Sequence, residues 1–199
     1  MQHLLNRSFR NSVVVGVLRA VVVSLLLVVP PTTADAQSLS ADGRPVWNAL
    51  QTMAEKPMAP EVAFRDAADQ DRGFVEFRGK LVIAAFWATW CPICKGEMPK
   101  FDRLQAELGA DGLRVVALSV DREGLPIVKR YYAKHGIRHL RVFHDTESIL
   151  ASVLGIRGVP TIFVIDPEGR MIGVVEGGAD WESPEALAFL RSLLPGHNS

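Results

Sequence analysis

The spacing of apolar positions changes several times along the chain, and each change marks an element. Residues 81–88, Leu-Val-Ile-Ala-Ala-Phe-Trp-Ala, form an almost unbroken apolar run after Gly79-Lys80. A run of that length bounded by polar residues predicts a strand buried on both faces. Residues 113–120 form a second such run and residues 161–165 a third. Between the first two, Met98, Phe101, Leu104 and Leu108 recur at helical intervals, and the stretch from Gly109 to Gly112 ends that helix. Residues 125–134, with Ile127, Val128, Tyr131 and Tyr132, predict a second helix.

Weaker patterns flank these. Val46, Ala49, Leu50 and Met53 have helical spacing, so residues 45–55 read as a helix, joined to the rest by a proline-bearing linker at 56–60. Residues 61–65 and 74–77 read as short strands around an acidic turn, and residues 140–143 as another. Thr146 is placed to cap a helix over 147–154, which Gly155 terminates. Asp166-Pro167-Glu168-Gly169 is a strong turn signal, with residues 171–176 as the returning strand. Ser183 as cap and Pro184 at the first position open a last helix that runs to Leu194. The order strand–helix–strand–helix–strand–hairpin–helix predicts an α/β fold, a central mixed sheet flanked by helices. Its first half supplies parallel crossovers and its closing hairpin antiparallel strands.

The N-terminus follows a different logic. Arg7, Arg10 and Arg19 flank or interrupt an apolar stretch whose uninterrupted part runs only from Ala20 to Val29, before Pro30-Pro31. A spanning helix needs about 20 apolar residues, whereas the apolar part of an export signal needs roughly 7–15. Ala34-Asp35-Ala36 supplies the small-x-small pattern of a cleavage site. Residues 1–36 therefore read as a signal peptide cut before Gln37. The alternative is an uncleaved anchor over residues 13–29 with Arg19 snorkelling. Either reading sends the rest of the chain out of the cytoplasm. The domain plan is residues 1–36 as signal, 37–59 as a helical and linker extension, and 60–195 as one domain.

Charge narrows the partners. The 199 residues carry 22 basic and 22 acidic side chains, which gives no reason to expect nucleic acid. The first 36 residues hold three basic residues and one acidic, leaving 19 basic against 21 acidic in the remainder.

The only two cysteines, Cys91 and Cys94, are three positions apart. A chain of this length does not need a disulfide staple, so the pair points to chemistry rather than scaffolding. It lies where a buried strand gives way to a helix. Free N–H groups and the helix dipole favour negative charge there, and the thiolate is the nucleophile. Cys91 is expected to be the exposed attacking thiol, and Cys94, one turn into the helix, the more buried resolving one. The competing reading is a zinc or copper module. His135 and His139 have a finger-like interval, but their distance from Cys94 far exceeds the roughly 12–15 residues of a finger.

The stretch Phe86-Trp87-Ala88-Thr89-Trp90-Cys91-Pro92-Ile93-Cys94 resembles the active site of the thioredoxin superfamily. Gly158-Val159-Pro160-Thr161 resembles its second signature. The resemblance implies a cis bond before Pro160, and a loop in which Val159 and Pro160 face the cysteines and present backbone to substrate. Trp90, beside the nucleophile, would line the same groove. Trp87 is expected in the core and Trp181 near the closing hairpin.

Within the superfamily the chain most resembles the TlpA/ResA group, with its DsbE-like cytochrome c-maturation reductases. It shares a signal before a single domain, Glu97-Met98-Pro99 after the motif, and a segment at 140–155 where the group has an extra strand and helix. The resemblance implies a periplasmic reductant of client-protein disulfides, in apocytochrome c or near copper sites, recharged by a membrane thiol donor and needing no cofactor. Plain thioredoxins carry an aspartate where this chain has Ala85. The resemblance makes Glu97 a catalytic candidate that would raise a thiol pKa or carry a proton. A solvated first-turn glutamate is the other reading. Pro92 removes one N–H that could have faced the Cys91 sulfur. An oxidising disulfide donor is the alternative enzyme, although the large helical insertion usual in such oxidants is absent. A thiol peroxidase lacks its proline–threonine–cysteine arrangement around Cys91.

Overall fold

Strand β4 (Leu81–Trp87) has all seven residues buried and forms the centre of the sheet. It pairs in parallel with β5 (Leu113–Ser119) and antiparallel with β7 (Thr161–Ile165). The structure is a computed structural model and describes residues 47–196. The expected signal or anchor and the segment 37–46 lie outside the described residues. Among the described residues no helix is long and apolar enough to cross a membrane.

The remaining strands are β1 (Gln51–Thr52), β2 (Phe64–Asp66), β3 (Asp71–Arg72), β6 (Phe143–His144) and β8 (Met171–Glu176), in the order β1-β8-β7-β4-β5-β6-β2-β3. The two-residue period of a strand splits the core in two. Leu81, Ile83, Ala85 and Trp87 face one layer, where they meet α1 (Pro92–Leu108), α2 (Leu125–His135) and α4 (Pro184–Ser192). Val82, Ala84 and Phe86 face the other, where they meet Phe64, Phe74, Phe77 and Phe143, together with Leu150 of α3 (Ile149–Val153).

The mixed sheet flanked by helices is the expected architecture, and its main elements are ones the pattern predicts: β4, β5, α1, α2, α4 and the β7–β8 hairpin. Local departures have physical causes. Residues 47–55 do not form a helix. Leu50 closes a turn on Trp47, and β1 then pairs with Gly173 and Val174 of β8. A side chain at Gly173 would come within 2.7 Å of Leu50 Cγ, so the missing Cβ makes room for this edge. Phe74–Phe77 is a 3₁₀ turn rather than a strand. Two aromatics three apart eclipse on one face of such a turn, which buries both. Residues 140–142 stay out of the sheet, because Asp102 Oδ1 takes the N–H groups of Arg138, His139 and Leu140 at 2.7–3.0 Å. The side chain that takes the first N–H groups of α3 is that of Asp145, not Thr146, while the N-cap position itself is Ser148. The two Asp145 carboxylate oxygens accept from Leu150 N and Ala151 N. Ser183 does cap α4, accepting from Ala186 N.

Candidate active site

Cys91 is the N-cap residue of α1 and has extended backbone angles. The Cys94 N–H donates to Cys91 Sγ at 3.1 Å. An N-cap normally offers an oxygen to this orphan donor, and here sulfur does the work. Pro92 occupies the first helical position, where its missing N–H has no helical partner to lose. The donor that reaches the sulfur comes from Cys94, so Pro92 does not deprive Cys91 of it.

Cys91 and Cys94 form a disulfide with Cα atoms 5.3 Å apart. The exposed attacking thiol expected at Cys91 is not what this oxidised state shows. Cys91 is 3 % exposed and Cys94 1 %. The Cys91 sulfur turns inward over the first helical turn, bonded to Cys94 and covered by the loop opposite. The exposed surface beside it belongs to Trp90 and Ile93, at 64 % and 53 %.

The covering loop is Gly158–Thr161, with a cis Val159–Pro160 bond. It brings Val159 O to 3.6 Å from Cys91 Sγ. Thr161 Oγ1 donates to Gly158 O at 2.8 Å, and Gly177 N donates to Pro160 O at 2.9 Å, so the loop is fixed on both sides. The turn carrying the cysteines is fixed from below. Buried Asp121 accepts from the Thr89 N–H, the Thr89 hydroxyl and the Ser119 hydroxyl at 2.7–3.2 Å. Nothing in the sequence separates Asp121 from any other aspartate after a strand. Its importance comes from a contact across 32 positions.

Glu97 is only 4 % exposed, which removes the solvated-glutamate reading. Its Oε1 accepts from Ala179 N at 2.9 Å and from Trp181 Nε1 at 3.2 Å. Among the described residues its Oε2 is buried without a partner. Burial pushes the Glu97 carboxyl above its ordinary value of 4.5, and the two N–H donors and Lys100 only partly offset this. The donors come from the loop after β8, where the approach is close. A methyl group at Gly178 would sit 2.9 Å from Ile93 Cγ2 and 3.8 Å from Glu97 Oε1. Trp181 is fully buried against Trp47 and Phe101, deeper than a place near the hairpin implies. Trp87 lies in the core beside Tyr131 and Tyr132. Ala85 is buried in the same layer, so no carboxylate stands there. His135 stacks on Tyr131, and His139 is exposed with its N–H held by Asp102.

A disulfide on a helix N-cap beneath a cis-proline loop, at the end of a central strand, is the arrangement of thioredoxin-like proteins. The chain is a thiol–disulfide oxidoreductase of that class. Residues 56–173 match the model of the AhpC/TSA family, and the chain belongs to that family. It is 30% identical over 144 residues to the thiol-disulfide oxidoreductase ResA of Oceanobacillus iheyensis, covering 70% of this chain and 73% of that one. Against the ResA of Bacillus subtilis identity is 27% over 143 residues, covering 70% and 79%. Among solved structures it is similar to a putative thiol:disulfide interchange protein DsbE from Chlorobium tepidum. That match has a TM-score of 0.61 at 25% identity and covers 71% of this chain and 99% of that one. These likenesses support the TlpA/ResA/DsbE group.

Proposed function

We propose that the chain works outside the cytoplasm as a reductant of disulfides in client proteins. The observation that carries the direction is the surroundings of the Cys91 sulfur. An oxidant of this class holds its reduced form stable, by stabilising the thiolate. Here the sulfur has one N–H donor, from Cys94, and a carbonyl oxygen on its other side, from Val159. A carbonyl favours the S–H form over the thiolate, and buried Glu97 adds no positive field. Such a dithiol gives up its electrons readily.

In the forward reaction the Cys91 thiolate attacks one sulfur of a client disulfide. A Cys91–client bond forms, and the other client sulfur leaves as a thiolate. Cys94 then gives up its proton and attacks Cys91 Sγ, releasing the second client sulfur. Two electrons pass to the client, and the chain is left with the Cys91–Cys94 disulfide seen here. Glu97 lies three positions after Cys94, on the same side of α1, with Oε2 free to take that proton. Trp90 and the Val159–Pro160 backbone border the place where the client sulfur arrives.

The sequence of residues 1–36 supports export to the periplasm, with cleavage or a retained inner-membrane anchor as the two ways of ending. A membrane thiol donor would recharge the disulfide, and cytochrome c maturation or copper-site thiols are the client classes that the motif's resemblance to the TlpA/ResA group implies. The reduction potential tests the direction. A value near that of thioredoxin, about −270 mV, fits a reductant, and one near −120 mV would sink this reading in favour of an oxidant. Trapping with Cys94→Ala tests the clients, because mixed disulfides on Cys91 then have no resolving thiol.

A further inference from the structure

Beside the cysteine turn, α1 and α2 leave a depression of about 350 Å3. Thr89, two residues before Cys91, forms one edge. Ile127 and buried Tyr131 line it, and Lys95, Arg130, Lys134 and His135 surround them, all four exposed. No acidic side chain lines it. Among the described residues Lys95, Arg130 and Lys134 pair with no carboxylate. Asp121, which holds Thr89, is buried and fully engaged there.

Helix physics explains only part of this cluster. Lys134 and His135 lie in the last turn of α2, where the dipole favours cations. Lys95 is the fourth residue of α1, near the end where the dipole disfavours them, and the first turn of α1 holds no acidic residue. The charged residues of α2 are all basic. Composition does not explain the cluster either, since beyond residue 36 the chain has more acidic than basic residues.

We propose that this depression receives an acidic segment of the client polypeptide, next to the client cysteine under exchange. The proposal rests on the reading that the chain exchanges disulfides with client proteins. The eight helical steps from Ile127 to His135 cover about 12 Å of helix, the length of roughly four extended residues. A flanking peptide of that length meets Lys95 and Arg130 as well as Lys134, whereas a single small carboxylate meets only some of them. The apolar floor of Ile127 and Tyr131 accepts the side-chain stems, and the exposed cations steer the approach.

Two disulfide-bonded peptides that differ only in acidic or neutral flanks test this, reduced by the wild type and by the pair variant Arg130→Gln/Lys134→Gln. Lys95 is left unchanged because it directly follows Cys94 in the first turns of α1. The wild type is expected to prefer the acidic peptide about three- to tenfold in kcat/KM, a preference that high salt removes. The pair variant should lose the preference and keep its rate on the neutral peptide. Equal wild-type rates on both peptides, or a variant slowed equally on both, would overturn the proposal. Anisotropy of a labelled, cysteine-free acidic peptide reads the surface apart from the redox step. Charge-dependent binding without any exchange keeps the surface and sinks the reductase reading. Exchange without charge-dependent binding does the reverse. Competition by a short dicarboxylate at peptide-like concentration would make the occupant a small anion and defeat the proposal.

Discussion

On the face of the sheet away from the cysteines the core is built of phenylalanines, while on the face that carries them polar atoms interrupt it. On the first face Phe143 meets Phe64 and Phe77 edge-on at 5.3 and 6.1 Å between ring centres, and Phe86 meets Phe163 at 6.3 Å. The carboxylates at its margins are saturated: Asp66 by Ala68, Gln70 and Arg72, Asp145 by two helix N–H groups, Asp166 by Arg170. The second face holds three buried polar atoms without partners among the described residues, Trp87 Nε1, Glu97 Oε2 and Tyr132 Oη. Unpaired buried groups cost stability, so a chain that saturates one face and not the other has a reason local to the second. Under the proposed mechanism that reason, for Glu97, is proton transfer with Cys94. The lesson is a division of labour in which one layer holds the sheet together and the other keeps reactive groups dry.

The largest effect that checks this division is Phe143→Ala. It should cost about 3–5 kcal/mol in denaturant unfolding yet leave the reduction potential of the Cys91–Cys94 disulfide unchanged. A shifted potential would show that the two layers are not independent. Asp121→Ala should cost about 3 kcal/mol, because the Thr89 and Ser119 donors lose a charged acceptor. Unlike the phenylalanine change, it should also slow disulfide exchange, since Thr89 leads into the cysteine turn.

Glu97→Gln sharpens the comparison through pH. A carboxyl whose pKa is higher in the folded chain binds its proton more tightly there than in the unfolded chain. Stability therefore falls as pH rises from the ordinary carboxylate value of 4.5 through the raised folded value, by at most about 1.4 kcal/mol per pH unit. Above that window the full penalty remains, and below it the penalty is gone. Unfolding measured across this range should be flatter for Glu97→Gln, and the variant should also lose one step from the pH profile of exchange. If only stability changes, Glu97 handles no proton.

Tyr132→Phe gives the smallest effect. Burial, with smaller contributions from Asp102 and Tyr131, pushes this hydroxyl well above the ordinary tyrosine range. Removing a hydroxyl that has no partner should leave stability unchanged or raise it by up to about 1 kcal/mol. A loss of that size, measured by thermal or denaturant unfolding, would reveal a partner and weaken the contrast between the faces.

Much of the fold was legible because long apolar runs and a two-residue period leave little choice. Leu81–Trp87 and Thr161–Ile165 read as buried strands from their length and bounding polar residues, and the cysteine spacing with a glycine–valine–proline segment pointed to one active site. Short elements were less legible. The spacing of Val46, Ala49, Leu50 and Met53 suits a helix as well as a turn followed by an edge strand, and only pairing with Gly173 decides. Phe74 and Phe77 have strand propensity, but burying both on one side favours a 3₁₀ turn. Within the site, Asp121, Gly178 and Trp181 carried no signal, since each matters through a residue 32 to 85 positions away.

By itself, then, the sequence determined the reactive pair, because a thiol pair at a strand–helix junction has few uses other than redox exchange. It determined the central strands as well, because their apolar length admits no solvated alternative. Tertiary structure alone decided how the pair is kept. It turned the Cys91 sulfur inward to take the Cys94 N–H, set Val159 O against it, and buried Glu97 under the loop after β8. The last two contacts join segments far apart in the chain, and burial by a distant segment leaves no mark in the local pattern of either.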